Sequence, residues 1–286
     1  QVMERAMVDQ TSEVKALMGN CASNTPLQAG EVALIGAGPG DPELLTLRAL
    51  RLMREADVVV YDKLVSEAIM EMVPPETDKI FVGKTANNHT LPQDDINTLL
   101  VKLSQENKRV VRLKGGDPYI FGRGGEEIQT LLGSDVPCRV VPGITAASGC
   151  STYAGIPLTH RDHAQSCTFV TGHLKSGNLV LPWKNLAQPN QTVVFYMGLQ
   201  SIEVISRELQ AHGMSGDMPA ALVEQGTTPN QRVFTGTLNT LQQKVADKNI
   251  QTPTLIIIGT VVNAFNDEQR KIISSNNNVV QFASGV

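Results

Sequence analysis

The sequence lacks several features that mark whole classes of proteins. Its four cysteines form no CxxC pair and show no metal-ligand spacing with the five histidines. No apolar run approaches the roughly 20 residues of a membrane-spanning helix, and the amino end is too polar for a signal peptide. The formal net charge of −4 offers no basic excess for nucleic acid. We therefore expect reduced thiols, a cytoplasmic location, no metal site, no membrane segment and no nucleic-acid partner.

The composition is that of a globular protein. Hydrophobic residues make up 41% of the 286 positions and charged residues 18%, which is enough for a full core. Residues 1–30 show no strand pattern, and we predict a tail or linker there that is disordered or loosely helical. Residues 266–286 are polar and are expected to form a second, frayed tail. The folded part is therefore predicted to lie between residues 31 and 265.

Short apolar runs alternate with helical patterns through residues 31–143. The runs at 32–35, 57–61, 79–82 and 110–113 predict strands of a parallel sheet covered on both faces. Residues 144–265 predict a second, more mixed α/β domain. The predicted fold class is therefore α/β, with two α/β domains joined near residue 143.

The stretch 110–127 is the one around which the rest of the chain is organised. It reads VVRLKGGDPYIFGRGGEE: a predicted buried strand, a Gly-Gly-Asp-Pro turn, and a second glycine pair before a predicted helix. Three cations, Arg112, Lys114 and Arg123, surround the turn. Glycines at the carboxyl end of a strand let the backbone approach a ligand, and open α/β sheets bind ligands at that edge. The stretch favours a site for an anionic or adenosine-bearing ligand over an ordinary connecting loop.

A second glycine loop, GAGPG at 36–40, partly matches the dinucleotide-binding pattern GxGxxG. Asp41 stands where the third glycine is needed, and a carboxylate is unfavourable beside a pyrophosphate. Pro39 also stiffens the middle of this loop. A nicotinamide-dependent oxidoreductase is therefore the weaker alternative.

Taken together, the loops carry a more specific signal. The motifs, in order, are GAGPGDPELLT (36–46), VVVYD (58–62), VGK (82–84), RLKGGDPYIFGRGGEE (112–127), VPGITAASG (141–149), GIPLTHRD (155–162), VTGH (170–173) and FYMGL (195–199). This set closely resembles the uroporphyrinogen-III C-methyltransferases of the tetrapyrrole methylase family, and the methylase part of sirohaem synthases. The resemblance covers about residues 30–262.

The resemblance implies a reaction and a cofactor. Two successive methylations by S-adenosylmethionine would convert uroporphyrinogen III to precorrin-2, for the sirohaem, cobalamin or haem d1 branch. The cofactor would lie between the two domains, and the protein would be a homodimer without a metal. The implied cofactor-binding residues are Pro39, Gly115, Gly116, Asp117, Ile120, Thr145, Ala146, Met197 and Gly226. Another precorrin methylase and a non-catalytic tetrapyrrole carrier are the alternatives.

The same resemblance implies catalytic roles. Asp62 would be the proton acceptor and Lys84 the proton donor, both at the carboxyl ends of predicted neighbouring strands. The simpler interpretations are a helix cap for Asp62 and a surface cation for Lys84. Arg112 is a third candidate, because an arginine on a buried strand is costly without an anionic partner. Its high pKa makes it a poor base, which favours a substrate carboxylate or a proton-relay contact.

Uroporphyrinogen carries acetate and propionate groups and is a polyanion. A protein with a net charge of −4 must gather cations where such a substrate lies. The predicted substrate-binding residues are Arg112, Arg123, His160 and Arg161, with His173 and Lys175 as further candidates. A local ion pair within the segment 160–162 is the alternative for that loop.

Overall fold

The computed structural model describes residues 25–83, 92–173, 179–275 and 281–282. Eleven strands in these ranges form two sheets. The strands of the first sheet are β1 (Val32–Gly36), β2 (Val58–Tyr61), β3 (Asp78–Phe81), β4 (Val110–Lys114) and β5 (Cys138–Val141). Those of the second are β6 (Ser166–Thr171), β7 (Gln191–Tyr196), β8 (Pro219–Glu224), β9 (Arg232–Thr237), β10 (Thr254–Ile258) and β11 (Gln281–Phe282).

The first sheet has the strand order β3-β2-β4-β1-β5, and every neighbouring pair runs parallel. Its helices are α1 (Leu47–Glu55), α2 (Glu67–Met70), α3 (Gln93–Gln105) and α4 (Gly124–Gly133). Leu52 of α1 belongs to the core on one face, while Leu100 of α3 and Leu131 of α4 belong to the core on the other. The predicted parallel sheet with two covered faces is confirmed, and all its strands end at one edge.

The second sheet has the order β11-β9-β8-β10-β7-β6 and is mixed. The pairs β6–β7 and β9–β11 are parallel, and the remaining pairs are antiparallel. The helices of this half are α5 (Ala146–Tyr153), α6 (Trp183–Leu186), α7 (Ile202–Ala211), α8 (Leu241–Ala246) and α9 (Asp267–Ser275). Trp183 and Ile205 pack on one face of the sheet, and Ala147 packs on the other. Each helix within the described ranges is too short or too polar to span a bilayer.

The two halves meet through the loop that follows β1. The hydroxyl of Tyr153 donates to Asp41 Oδ2 at 2.6 Å, and the backbone N–H of Asp41 donates to Thr227 Oγ1 at 3.2 Å. Burial raises the pKa of Tyr153 to about 12, so the phenol is neutral and able to donate at ordinary pH. The first glycine loop is therefore tied to both the helix α5 and the second half of the chain.

The chain ends differ from the sequence-based expectation. Residues from 25 onwards already pack on the first sheet: Leu27 is buried, and its backbone N–H donates to Glu55 Oε2 at 2.7 Å. The stretch expected to fray from residue 266 instead contains α9, because Arg270 turns inward and is buried. The helix α9 was not predicted because its sequence is polar and shows no apolar stripe. Its buried contact with the fold is made by Arg270.

Two helices of the described ranges, α2 and α6, are only four residues long. On α1, Ala49, Leu52 and Met53 form the buried face, whereas Leu47 is 54% exposed. The helix α6 was not predicted, because four residues are too few to show a helical period.

Arg270 provides a test of whether α9 belongs to the cooperative fold. Its guanidinium donates to the carbonyl of Val262 and to Asp267, and its stem packs against Gly155. Arg270→Ala should lower the free energy of unfolding by about 2–3 kcal/mol, because a buried carbonyl loses its charged donor. Thermal denaturation should show a fall in Tm of roughly 4–12 °C. The control is Arg207→Ala, since Arg207 is exposed and pairs only with its neighbour Glu208. Equal melting temperatures for both variants would contradict the role of α9.

Candidate active site

Three glycines bring the ends of β1, β4 and β5 into backbone contact. A Cβ atom on Gly143 would lie 2.3 Å from the carbonyl oxygen of Gly116, and one on Gly36 would lie 2.5 Å from the Gly143 nitrogen. Gly38 and Gly116 also exchange two backbone hydrogen bonds, of 3.1 and 2.7 Å. A side chain at Gly36 or Gly143 would push these loops apart, so the sheet edge is shaped by backbone alone.

The Gly-Gly-Asp-Pro turn is held by its own carboxylate. Asp117 Oδ1 accepts from the backbone N–H of Tyr119 at 2.9 Å, and Oδ2 accepts from the N–H of Gly143 at 3.0 Å. Gly116 has φ +67°, a conformation that favours glycine. Ile120 donates its backbone N–H to the carbonyl of Asp117 at 3.3 Å. Asp117 therefore orders the turn, and direct contact with a cofactor stays a prediction for this residue.

The turn faces the amino end of α5. A Cβ on Gly116 would be in ordinary van der Waals contact with Ala146 N at 3.8 Å and Thr145 Cα at 4.0 Å, so the turn and the start of the helix lie side by side. Tyr196 holds this helix end, because its hydroxyl lies 2.7 Å from Thr145 Oγ1 and accepts from the N–H of Ala147 at 2.9 Å. Burial raises the pKa of Tyr196, so the phenol keeps the proton that it can share with Thr145.

Pro39 and Gly226 pack on the same helix from another side. A Cβ on Gly149 of α5 would lie 2.5 Å from Pro39 Cγ, and one on Gly226 would lie 2.3 Å from Cys150 Sγ. Burial raises the pKa of the Cys150 thiol to about 12, so this cysteine is a packing residue and not a nucleophile. The loops predicted to bind the cofactor thus converge on α5.

Exposed apolar side chains border this region. Phe121 packs on the Tyr196 ring with centroids 4.8 Å apart, and the next residue, Met197, is 52% exposed. Leu64 lies against Gly115, since a Cβ there would be 2.5 Å from Leu64 Cβ. Tyr119 is exposed beside them. Such a border suits a ligand with large flat or apolar parts.

Four charged side chains lie behind the turn. Arg112 Nη2 donates to Asp62 Oδ2 at 3.0 Å, and Arg112 Nε donates to Glu127 Oε1 at 3.2 Å. Lys114 Nζ donates to the same Glu127 oxygen at 2.9 Å. Burial, followed by the nearby charge of Arg112, lowers the pKa of Lys114. The two negative charges of Asp62 and Glu127 are matched by the two positive charges of Arg112 and Lys114. Charges away from water are tolerated only when they are paired in this way.

The predicted substrate contact of Arg112 stays a prediction. Its side chain is only 3% exposed, and its remaining donors reach the carbonyls of Leu113 at 2.9 Å and Val60 at 3.4 Å. A direct contact with a substrate carboxylate would require Arg112 to exchange one of these partners. Asp62 remains available: its side chain is 25% exposed, and Oδ1 accepts from the Leu64 N–H at 3.0 Å. Asp62 is thus both a turn cap and the partner of Arg112.

The other predicted cations have partners of different kinds. Arg123 forms an exposed pair with Glu126, with 2.5 Å between Nη2 and Oε2. His160 Nδ1 accepts from the backbone N–H of Asp162 at 3.1 Å and lies 3.9 Å from Asp162 Oδ2, which is the local pair expected as the alternative within 160–162. Arg161 is exposed and has no ion pair within the described ranges. Lys84 and Lys175 lie outside the described residues, and His173 is exposed next to such a gap.

Comparison with known proteins now identifies the family. A family model described as tetrapyrrole (corrin/porphyrin) methylases matches residues 31–242. The chain belongs to this family. It is 59% identical over 262 residues to a sirohaem synthase of Stutzerimonas stutzeri, covering 91% of this chain and 56% of that protein. It is 65% identical over 233 residues to a sirohaem synthase of Thioalkalivibrio sulfidiphilus, covering 82% of this chain and 48% of that protein. The methylase chain thus spans about half the length of the curated relatives that it matches.

A solved structure gives a matching fold. A uroporphyrin-III C-methyltransferase of Thermus thermophilus, in complex with S-adenosylhomocysteine, is 40% identical to this chain with a TM-score of 0.71. The match covers 82% of this chain and all, 100%, of that one. The two-domain α/β fold expected from the motifs is therefore confirmed for this tetrapyrrole methylase.

Two important residues were missed in the sequence of this methylase. Glu127 was assigned only to the start of a helix, and Tyr196 only to a strand. A signal for Glu127 existed, because Arg112 and Lys114 alternate along β4 and must share one face that needs an anion. No local signal pointed to Tyr196, since its partners lie about 50 residues away in the chain and meet it only in the folded methylase.

Tyr196 offers a test of how the amino end of α5 is held. Tyr196→Phe removes the hydroxyl that joins Thr145 and Ala147 and should lower the free energy of unfolding by about 1–3 kcal/mol. Urea denaturation followed by circular dichroism measures this loss. Tyr119→Phe is the matched control, because Tyr119 is 56% exposed, and its effect should stay within about 0.5 kcal/mol. A Tyr196→Phe variant as stable as the control would show that the hydroxyl does not hold the helix.

Proposed function

We propose that this chain is an S-adenosylmethionine-dependent C-methyltransferase that converts uroporphyrinogen III to precorrin-2 by two successive methylations. The observation that carries the proposal is the convergence of the loops after β1, β4 and β5 on the amino end of α5. This arrangement occurs in a chain 40% identical to a uroporphyrin-III C-methyltransferase that binds S-adenosylhomocysteine.

The geometry fits the proposed cofactor. Gly116 lies next to the backbones of Thr145 and Ala146. Backbone groups at a strand end and a helix start suit the carboxylate and ribose of the cofactor. Met197 and Phe121 offer apolar surface for the adenine. When bound, the cofactor supplies a methyl group already activated on a sulfonium.

Asp62 is the residue that we assign to proton removal. Methylation of an electron-rich pyrrole carbon requires alignment of the two reactants and loss of a proton. Asp62 is a partly exposed carboxylate at the end of β2, and its position is fixed by Arg112 and by the N–H of Leu64. Lys84, two residues after the buried Val82, keeps its predicted role as proton donor.

The exposed border supports a tetrapyrrole as the acceptor. Leu64, Phe121 and Met197 can contact the faces of a macrocycle, while Arg161 provides an exposed guanidinium without an ion pair in the described part of the chain. Arg123 and His160 can contribute only by exchanging their present partners. We propose further that the product enters the sirohaem, cobalamin or haem d1 branch and that the protein is a homodimer, as the resemblance implied. The cytoplasmic location expected from the sequence completes the proposal.

Label transfer tests the proposed function. The chain is incubated with S-adenosylmethionine carrying a labelled methyl group and with uroporphyrinogen III under reducing, anaerobic conditions. We expect labelled tetrapyrrole that gains two methyl groups by mass spectrometry. S-Adenosylhomocysteine should bind by calorimetry, and nicotinamide dinucleotides should not.

An Asp62→Asn variant separates chemistry from binding. It should transfer label on the order of a hundredfold more slowly, because general base catalysis typically contributes about 10²–10⁴-fold. Its affinity for S-adenosylhomocysteine should stay within about twofold, since Asp62 bonds to Arg112 and to the backbone of Leu64, which are not among the predicted cofactor-binding residues. A wild-type chain that binds both ligands and transfers no label would be a carrier and would overturn the proposal.

A further inference from the structure

We propose that Glu127 is a positioning residue for the methyl transfer: acting through Arg112, it fixes the Asp62 carboxylate at the sheet edge. The proposal rests on the function proposed above and deepens it. Glu127 lies on α4, and its hydrogen-bond partners among the described residues are Arg112, Lys114 and Gln93. Of these, Arg112 is the one that bonds to the Asp62 carboxylate, so an effect of Glu127 on Asp62 passes through Arg112.

The guanidinium of Arg112 is fixed from three sides. It donates to the carbonyl of Leu113 at 2.9 Å, to that of Val60 at 3.4 Å, and to Glu127 Oε1 at 3.2 Å. These acceptors belong to β4, β2 and α4, so they define the plane of the group. Nη2 then reaches Asp62 Oδ2 at 3.0 Å. Because the guanidinium is planar and rigid, its anchors determine where the Asp62 oxygen is held.

Among the described residues, hydrogen bonds reach only one of the two oxygens of the Glu127 carboxylate. Oε1 accepts from Arg112, from Lys114 Nζ at 2.9 Å, and from Gln93 Nε2 at 3.1 Å. Oε2 is buried and has no hydrogen-bond partner among the residues that the structure describes. Buried polar atoms normally have a hydrogen-bond partner, so an oxygen without one is a cost of keeping the carboxylate here. Two of the three donors to the other oxygen are the cations Arg112 and Lys114.

A stability role alone does not explain the three buried charges of Arg112, Lys114 and Glu127. The side chains of Arg112 and Glu127 are 3% and 0% exposed, and taking such groups out of water is costly. Replacing a buried ion network by apolar residues is often neutral or stabilising. On the opposite face of β4, the apolar side chains of Val111 and Leu113 are fully buried. The same strand can therefore be buried without charged side chains. The charged face ends at Asp62, the one member of the network that reaches the cleft.

A double-mutant cycle tests this chain of contacts. Glu127→Gln, Asp62→Asn and the double variant are compared with wild type in the label-transfer assay. Glu127→Gln should lower kcat on the order of ten- to a hundredfold, because a small displacement of a catalytic group has an effect of this size. The KM for uroporphyrinogen III and the affinity for S-adenosylhomocysteine should stay within about twofold. In the Asp62→Asn background, Glu127→Gln should cause no further loss, since no base remains to be positioned.

The neighbouring residue provides the matched control. Glu126→Gln removes the same charge at an exposed position that pairs only with Arg123, and kcat should not change. Losses that multiply in the double variant would overturn the proposal, because Glu127 would then act independently of Asp62. An unchanged kcat for Glu127→Gln would overturn it as well.

If Glu127→Gln does not fold, the variant Glu127→Asp tests the proposal instead. Glu127→Asp keeps the charge but draws it back by one methylene, so it should lower kcat and again show no additivity with Asp62→Asn. Full kcat for Glu127→Asp would contradict positioning through Arg112. Failure of the proposed function is distinguishable, because the wild-type chain itself would then produce no labelled tetrapyrrole.

Discussion

The close approach of three strand ends is the constraint on which the site depends. Gly36, Gly116 and Gly143 bring the backbones after β1, β4 and β5 into contact, and a side chain on Gly36 or Gly143 would not fit there. Parallel strands place all their carboxyl ends at one edge, and the strand order puts β1 between β4 and β5. The contact therefore joins loops that are about 80 and 30 residues apart in sequence. Asp117 fastens it by accepting the Gly143 N–H, and the turn then faces the amino end of α5.

The charged side chains near this edge fall into two groups, a buried network on one face of the sheet and exposed side chains on the loops. Arg112 and Lys114 point to the buried face, where Glu127 and Asp62 balance them. The cleft thus receives a carboxylate from a neutral network and no free cation from the central strand. The proposed polyanionic substrate would therefore take its cations from loops, and the exposed Arg161 is the side chain that we propose for this role. Under the same proposal, Arg112 serves the reaction by holding Asp62.

The sequence predicted the parallel sheet and the converging glycine loops, because apolar runs and glycine turns are local signals. Contacts between distant residues were not predictable in the same way. Arg112 was expected to bind substrate, since nothing local showed that Glu127 faces it from α4. The hydroxyl of Tyr196 and the inward turn of Arg270 likewise depend on tertiary packing. A local sequence shows that a buried charge needs a partner, but the fold decides which one.

Calorimetry of S-adenosylhomocysteine binding to Gly143→Ala tests the central claim most directly. The new Cβ would meet the Gly116 carbonyl, and overpacking of about 1–3 kcal/mol should weaken binding by about tenfold or more. Gly125→Ala is the control, because a Cβ there meets nothing within 4 Å; it should bind normally. The account predicts weak binding by a folded Gly143→Ala variant, with wild-type binding by the control. Wild-type affinity in Gly143→Ala would contradict the claim that this backbone contact shapes the cofactor site.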